Sequence, residues 1–456
     1  MTINFMEDFM ISEFVLAAIL QYGYIKGTKA IKELKYKEEK KHFLNVCNNE
    51  EVVFPVLETA FEEYGTRLVV SLKNKTYKDI EALKDSLETE YGSRIEIEQN
   101  NNIKTATIHV LHKRLNDYDF KFEVRNLKPN QLFVGLDNKL KPIIVDMFKK
   151  PHVLVTGSTN SGKSQEMKML LTNLIATSNQ VEIYFSNVAC TADYKTIIKC
   201  KQVKAYVEDF QESFKLFNYI MHIYEKRMGM FNKKDVADIK EWNKKYEDKN
   251  MNLIYLVIDE FADYYPANKL DKNYDIKTKC YNVLKEIVRK VRKAGIYMLV
   301  GIQRPDTTVL DPSLKSNLTT KIGFTQENDA SSLVVCDTTE LANIPERECL
   351  IISGTIRTWS RSLYFDEIIM IKHLKKSLVS KRTSLDDFNV FLKETSKEDK
   401  NKKSIIRNKI VAINEAAATV ENNTRVKNIE VITVKSSDYR YENGNLLLNI
   451  RRIVEE

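Results

Sequence analysis

Cysteine is sparse in this sequence, and its pattern argues against two kinds of protein. The 456 residues include six cysteines, and no two of them form a C-x-x-C pair. Zinc sites and disulfide frameworks depend on regular cysteine spacing. The sequence therefore predicts no structural metal and no disulfides, and we interpret the cysteines as reduced thiols of a cytoplasmic protein.

Signal peptides, low-complexity tracts and internal repeats are not evident either, and no apolar run is long enough for a comfortable bilayer span. The segment with most membrane character, residues 9–25, contains Glu13 and Gln21. Its apolar residues recur at helical spacing, which favours an amphipathic or packing helix. Acidic residues before it and lysines after it are instead typical of a span with its C-terminal side in the cytoplasm. The segment predicts a helix that is either peripheral to the cell membrane or anchored in it.

The overall composition is that of a folded and mildly basic protein. Hydrophobic residues make up 43% of the chain, and the formal net charge is +8. The length predicts two to four domains with a large buried core. The positive charge is compatible with a polyanionic partner but does not identify one.

One stretch carries a strong signal for nucleotide binding. An apolar, strand-like run, Val153–Thr156, is followed by the pattern G-x-x-x-x-G-K-S. This is a P-loop, in which glycines let backbone N–H groups face a phosphate at the positive end of a helix. Lys163 is expected to reach the β- and γ-phosphates, and the Ser164 hydroxyl to bind Mg²⁺. The predicted nucleotide-binding residues are Gly157, Ser158, Thr159, Asn160, Ser161, Gly162, Lys163 and Ser164.

A second signal lies at Leu253–Glu260, where six apolar residues precede two carboxylates. Such a run predicts a central strand covered on both faces, and open α/β sheets bind ligands at the carboxyl ends of these strands. Asp259 is predicted to hold Mg²⁺ through its water shell, and Glu260 to take a proton from the attacking water. Another apolar strand, Tyr297–Ile302, ends at Gln303, whose amide is a candidate γ-phosphate sensor or water-orienting group.

Strands and helices alternate around both motifs, which predicts a RecA-like, doubly wound and mostly parallel α/β sheet. A small α+β pattern precedes this P-loop domain. The C-terminal region contains a predicted hairpin, Ile429–Val434 with Leu446–Ile450. The predicted regions are an N-terminal helical segment (1–45), an α+β module (46–130), the P-loop domain (131–372), a lysine-rich linker (373–408) and a C-terminal α+β region (409–456).

Five blocks, in order, resemble the FtsK/SpoIIIE-type DNA-translocating ATPases over roughly residues 133–367. They are the approach to the P-loop with Pro151 and His152, the stretch Glu225–Lys245, LVIDEFADYY, Val291–Asp306 and SLKSNLTTKIGF. The resemblance implies an ATPase that uses ATP and Mg²⁺ and moves double-stranded DNA. It also implies a ring hexamer with the nucleotide at the subunit interface, and Glu260 as the base.

The sequence departs from the family pattern at three places. Asn160 stands where glycine is usual, and asparagine tolerates unusual backbone angles. Ser186–Val188 replace an acidic-x-Lys sequence, and Lys321 stands where arginine is common. For a trans-acting arginine, Arg292 is the first candidate, with Arg304 and Arg347 behind it.

The chain also lacks the winged-helix pattern and the multi-span membrane domain of the chromosomal members. It is therefore more similar to the compact members found on conjugative elements, plasmids and phages. Three alternatives stay open: a conjugative coupling ATPase that hands a relaxase-bound strand to a membrane channel, a secretion ATPase that moves proteins, and a nucleotide-gated, non-hydrolysing DNA-binding scaffold.

Overall fold

The computed structural model describes residues 34–113, 121–342, 344–354 and 356–379, and a few later positions (388, 391, 439–442 and 445–448). The chain divides into two units, residues 1–380 and 381–456. None of the described helices is long and apolar enough to cross a bilayer. The predicted membrane-associated helix, residues 9–25, lies outside the described residues.

In the second unit, two short strands pair antiparallel and flank residues 443–444. The second of them corresponds to the predicted strand Leu446–Ile450. The predicted partner, Ile429–Val434, lies outside the described residues, and the observed partner comes later in the chain. The two strands are Tyr439–Glu442 and Asn445–Leu448.

The first unit begins with a small α+β module, as predicted. Three helices share one apolar core with a four-stranded antiparallel sheet of order β1-β2-β4-β3. Phe43 and Val46 of the first helix are buried in this core, so the module begins before residue 46. The helices are α1 (described over 34–49), α2 (Tyr77–Glu81) and α3 (Lys84–Tyr91), and the strands are β1 (Val56–Glu62), β2 (Gly65–Ser71), β3 (Arg94–Gln99) and β4 (Thr105–Leu111).

A ten-stranded sheet organises the P-loop domain, in the order β6-β5-β14-β13-β12-β7-β11-β10-β8-β9. The strands from β12 to β9 in that order are parallel, and the other four join antiparallel on one side. The predicted mostly parallel sheet is confirmed. The strands are β5 (Gln131–Asp137), β6 (Pro142–Asp146), β7 (Val153–Thr156), β8 (Val181–Ser186), β9 (Val203–Val207), β10 (Leu253–Ile258), β11 (Ile296–Ile302), β12 (Thr320–Gly323), β13 (Glu348–Ser353) and β14 (Ile356–Arg361).

The central strands β7, β10 and β11 are buried along their whole length. Their unbroken apolar sequences require cover on both faces of the sheet, and helices supply it. Leu374 is buried and Val379 donates to the Lys199 carbonyl, so the packed chain runs past residue 372 into the predicted linker. The helices are α4 (Lys163–Thr177), α5 (Phe210–Lys234), α6 (Ile239–Lys245), α7 (Tyr274–Lys290), α8 (Pro312–Asn317), α9 (Asp329–Cys336) and α10 (Glu367–Leu374).

Candidate nucleotide site

The P-loop connects β7 to α4, and two of its residues adopt left-handed backbone angles. Gly162 caps α4 with φ 115°, and Asn160 has φ 62°. Asparagine populates this region more readily than most residues, because its short polar side chain bonds locally. The residue that replaces glycine in the family pattern therefore fits the backbone it has to adopt.

Lys163, the first residue of α4, is buried and points to the end of β10. Its amine donates to the backbone oxygen of Asp259 at 3.0 Å and lies 3.2 Å from Oε2 of Glu260. The same Oε2 accepts from the backbone N–H of Gln303 at 2.9 Å. Burial raises the pKa of Glu260, while the Lys163 charge and the Gln303 N–H oppose that rise. The structure thus joins the three sequence motifs through one carboxylate.

Asp259 is also held from a second direction. It is 5% exposed, and its Oδ1 accepts a hydrogen bond from the Tyr194 hydroxyl at 2.6 Å. Its Oδ2 accepts from the Thr191 hydroxyl at 3.4 Å. Sequence reasoning found the departure at Ser186–Val188 just before this loop but gave no signal for Tyr194.

Gly301, on β11, allows the chain after β10 and the Lys163 amine to lie close to the β11 backbone. A Cβ at this position would lie 2.1 Å from the Asp259 backbone oxygen and 3.2 Å from the Lys163 amine. A backbone oxygen at that distance leaves no room for any side chain. Gly301 is therefore a structural requirement of the site, and sequence reasoning passed over it.

A cleft of about 600 Å³ opens beside the P-loop. Lys163 and Gln303 line it and contact Glu260, whereas Asp259 and Glu260 themselves lie behind Lys163. This is the volume class of small-molecule sites. The lining residues are Ser158, Thr159, Asn160, Gly162, Lys163, Ser164, Gln165, Lys168, Asp193, Gln303, Glu346, Arg347, Leu363, Tyr364 and Phe365.

Of the candidate arginines, Arg347 is the one that lies at this cleft. Its backbone N–H donates to the Ser161 oxygen at 3.3 Å, and its guanidinium donates to the Ser362 oxygen at 3.0 Å. Its backbone also adopts the left-handed region, with φ 68°. Sequence reasoning named Arg347 only as a weaker candidate, because its closeness to the P-loop depends on β13 running antiparallel to β12.

Arg292 lies elsewhere in the chain. Arg292 is exposed and precedes β11, whereas the P-loop follows the parallel strand β7, so the two lie at opposite edges of the sheet. Its guanidinium donates to the Phe148 backbone oxygen at 3.2 Å. Any role at a nucleotide would have to be at a neighbouring subunit. Arg304 follows Gln303 with its side chain 83% exposed, and Lys321 is paired with Asp337 at 3.7 Å.

Mg²⁺ fits the donor chemistry at this site. Ser164 lines the cleft, and the Asp259 carboxylate is held at the end of β10 by the Tyr194 hydroxyl, so both side chains supply the oxygen donors that Mg²⁺ prefers. Among the described residues, no group of three or more His, Cys, Asp or Glu side chains could hold a metal alone. A metal here would therefore depend on nucleotide oxygens for much of its coordination.

Comparison with known proteins shows which family part of this chain is similar to. Residues 121–307 match the FtsK/SpoIIIE family model. The DNA translocase SftA of Bacillus subtilis (strain 168) is 29% identical over 212 residues, which are 45% of this chain and 21% of that protein. The DNA translocase FtsK of Treponema pallidum (strain Nichols) is 22% identical over 280 residues, 52% of this chain and 33% of that protein. The chain thus spans a fifth to a third of the length of these relatives.

A solved structure is similar over more of the chain. The conjugation coupling protein TcpA, a monomer form with ATPγS, superposes with a TM-score of 0.53 at 19% identity. The superposition covers 74% of this chain and 98% of that one, and it agrees with the predicted P-loop fold. The match to the family model and the curated relatives together show that this chain is similar to the FtsK/SpoIIIE family over residues 121–307.

Proposed function

We propose that this protein is an ATP-driven motor that translocates double-stranded DNA as a ring hexamer, in mobile-element transfer or DNA segregation. The observation that carries the proposal is the position of Glu260. Its carboxylate contacts the P-loop lysine and the Gln303 backbone at the rear of the cleft, which is where a hydrolytic base is needed. The relatives named as DNA translocases support the choice of substrate.

The proposed mechanism follows from the contacts of Lys163. The amine leaves Glu260 and binds the β- and γ-phosphates of ATP, so that Oε2 becomes free to accept a proton from the attacking water. Gln303 lines the cleft one residue beyond β11, and its amide orients that water. Ser164 and, through water, Asp259 would hold Mg²⁺, which supplies charge neutralisation at the phosphates.

DNA binding would be through the phosphates, without regard to sequence. A net charge of +8 is in keeping with such contacts, whose strength falls as counterions become abundant. The test is the steady-state ATPase rate with and without linear duplex DNA, at several salt concentrations, beside particle imaging for rings. Stimulation that weakens with salt is expected. Hydrolysis that duplex DNA fails to stimulate at low salt would contradict the translocase, and nucleotide binding without hydrolysis would favour the scaffold.

A second candidate is a coupling ATPase that delivers DNA or protein to a membrane channel. The observation in its favour is that the likeness to the coupling protein TcpA extends over 74% of this chain, more than the P-loop domain alone. Flotation of the full chain with vesicles, against a variant lacking residues 1–33, separates the candidates. That truncation leaves the described part of α1 intact. Flotation that requires residues 1–33 would favour the coupling ATPase, as would capture of a relaxase.

A further inference from the structure

The loop after β8, residues 187–200, reaches across to the end of β10 and fixes the Asp259 side chain. Tyr194 is fully buried there, and its hydroxyl donates to Oδ1 at 2.6 Å. The Thr191 hydroxyl lies 3.4 Å from Oδ2. One loop therefore contacts both oxygens of the carboxylate that is expected to face the metal.

The loop is itself held rigidly against the sheet. The Tyr194 ring packs on Phe185 of β8, with ring centroids 4.6 Å apart. The Asn187 backbone donates to Val207 of β9, and its side-chain amide donates to the Thr191 carbonyl at 3.2 Å. Because Tyr194 cannot turn without disturbing this packing, the direction of its hydroxyl is fixed by the fold.

The Asp259 backbone is fixed independently of its side chain. Its N–H donates to the Ser186 oxygen at 3.4 Å, and its carbonyl accepts from Lys163 at 3.0 Å. The side chain retains rotation about its own bonds, and the hydroxyl of Tyr194 selects one orientation. Each carboxylate oxygen can accept a second hydrogen bond, so the orientation leaves acceptor capacity for metal-bound water.

We infer that Tyr194 is a positioning residue of the magnesium site: by holding Oδ1 of Asp259, it sets the direction in which this carboxylate meets the water shell of Mg²⁺. The inference rests on the proposed function, since it assumes that Mg²⁺ binds here with ATP. Loss of an outer-shell hydrogen bond at a metal site commonly lowers metal affinity by about 10- to 100-fold. Tyr194 acts through Asp259, since it is not among the residues that line the cleft.

The test separates metal binding from nucleotide binding and from stability. Binding of a fluorescent ATP analogue is titrated in EDTA and at a series of free Mg²⁺ concentrations, for the wild type and Tyr194→Phe, with a thermal melt of each. The matched control is Tyr255→Phe on β10, another fully buried tyrosine, whose hydroxyl donates to the Pro129 carbonyl at 2.7 Å.

Tyr194→Phe is expected to keep the affinity for nucleotide in EDTA and to raise the Mg²⁺ concentration for half-maximal tightening about 10-fold or more. Tyr255→Phe should lower the melting temperature comparably and leave the Mg²⁺ dependence unchanged. An unchanged Mg²⁺ dependence in a folded Tyr194→Phe protein, beside a Mg²⁺-dependent wild type, overturns the inference and leaves the proposed function intact.

Two further outcomes remain decisive. If Tyr194→Phe does not fold, Thr191→Val removes the donor to Oδ2 at a half-buried position, and the absence of a Mg²⁺ shift in that variant overturns the inference. If the wild type itself binds the analogue equally well with and without Mg²⁺, the proposed function is overturned, and the inference with it.

Discussion

Lys163 and Glu260 form an ion pair at the nucleotide site, with Nζ 3.2 Å from Oε2. One comes from the first turn of α4 and the other from the end of β10, and both side chains are largely buried. In this arrangement the lysine proposed to bind phosphate neutralises the proposed base. Phosphates that compete for Lys163 would release Glu260, which would couple nucleotide binding to activation of the base.

Replacing Glu260 by glutamine should preserve ATP binding and abolish most hydrolysis. The amide still fits the site but cannot take the proton, and loss of a general base typically costs about 10²–10⁴-fold in rate. The measurement is nucleotide affinity beside the DNA-stimulated ATPase rate. Asp263→Asn, a nearby carboxyl outside the proposed chemistry, is the control. Hydrolysis at the wild-type rate in Glu260→Gln would remove Glu260 from its role.

Gly301→Ala should damage both the fold and the site. The added Cβ would meet the Asp259 backbone oxygen at 2.1 Å, and such overpacking typically costs about 1–3 kcal/mol of unfolding free energy. We expect the upper end of that range, with loss of nucleotide affinity, because neither strand can move alone. Urea unfolding and nucleotide titration measure the two effects.

Gly229→Ala on α5 is the control for that change. Among the described residues, no atom other than those of the adjoining residues and the helix backbone lies within 4 Å of a Cβ at this position. A helical glycine costs about 1 kcal/mol relative to alanine. The control should therefore be slightly more stable than the wild type. Equal behaviour of the two variants would show that the close approach at Gly301 is not rigid.

Asn160 should tolerate glycine but not valine. A β-branched residue at the Asn160 φ of 62° would cost roughly 1–2 kcal/mol of conformational free energy. If the loop must keep this shape to bind phosphate, that cost lowers the nucleotide affinity about tenfold. Asn160→Gly should bind nucleotide as the wild type does. Thr159→Val, at a neighbouring position without positive φ, controls for loss of a polar side chain. Equal affinity of all three variants would contradict the expectation.

Arg347 and Arg292 should differ in what their removal changes. Arg347→Met removes a positive charge from the cleft of the same protomer and should lower nucleotide affinity about tenfold, even at protein concentrations too low for assembly. Arg292→Met should leave that affinity unchanged and lower only the ATPase rate of assembled protein, if it acts on a neighbour's nucleotide. An unchanged rate in Arg292→Met would exclude the trans role.

Glu166 should make the protein less stable as the pH rises. It is completely buried on α4, neither carboxylate oxygen has a hydrogen-bond partner among the described residues, and burial raises its pKa from 4.5 to about 8. The Ser362 hydroxyl opposes the rise without reaching hydrogen-bond geometry. Between these two values the folded state binds more protons than the unfolded state, so stability is greatest below pH 4.5 with respect to this group and falls through pH 8.

The cost over that interval is on the order of 3–5 kcal/mol. The unfolding free energy, measured by urea unfolding, should decline between pH 5 and pH 8 in the wild type. The decline should be smaller in Glu166→Gln, because glutamine does not titrate. Glu225→Gln, at an exposed carboxyl on α5, should leave the decline as it is. A Glu166→Gln protein with the wild-type slope would show that water or a cation compensates the buried carboxyl.

The sequence by itself determined the elements that depend on local spacing. The P-loop is contiguous, the strand before Asp259 is an uninterrupted apolar run, and the alternation of strands and helices predicts a parallel sheet. These signals lie within a few residues of one another, so they can be recognised without knowing what packs against them. The family resemblance rested on the same contiguous blocks.

Only the tertiary structure decided how those elements meet. The contacts Lys163–Glu260 and Tyr194–Asp259 join residues that are 97 and 65 positions apart, and strand order rather than spacing brings each pair together. The same holds for Gly301, whose lack of a side chain matters only because β10 ends beside it. It also holds for Arg347, which lies at the P-loop because β13 runs antiparallel to β12. Long-range packing leaves no periodic trace in the sequence, because any element of the right length and polarity satisfies the local pattern.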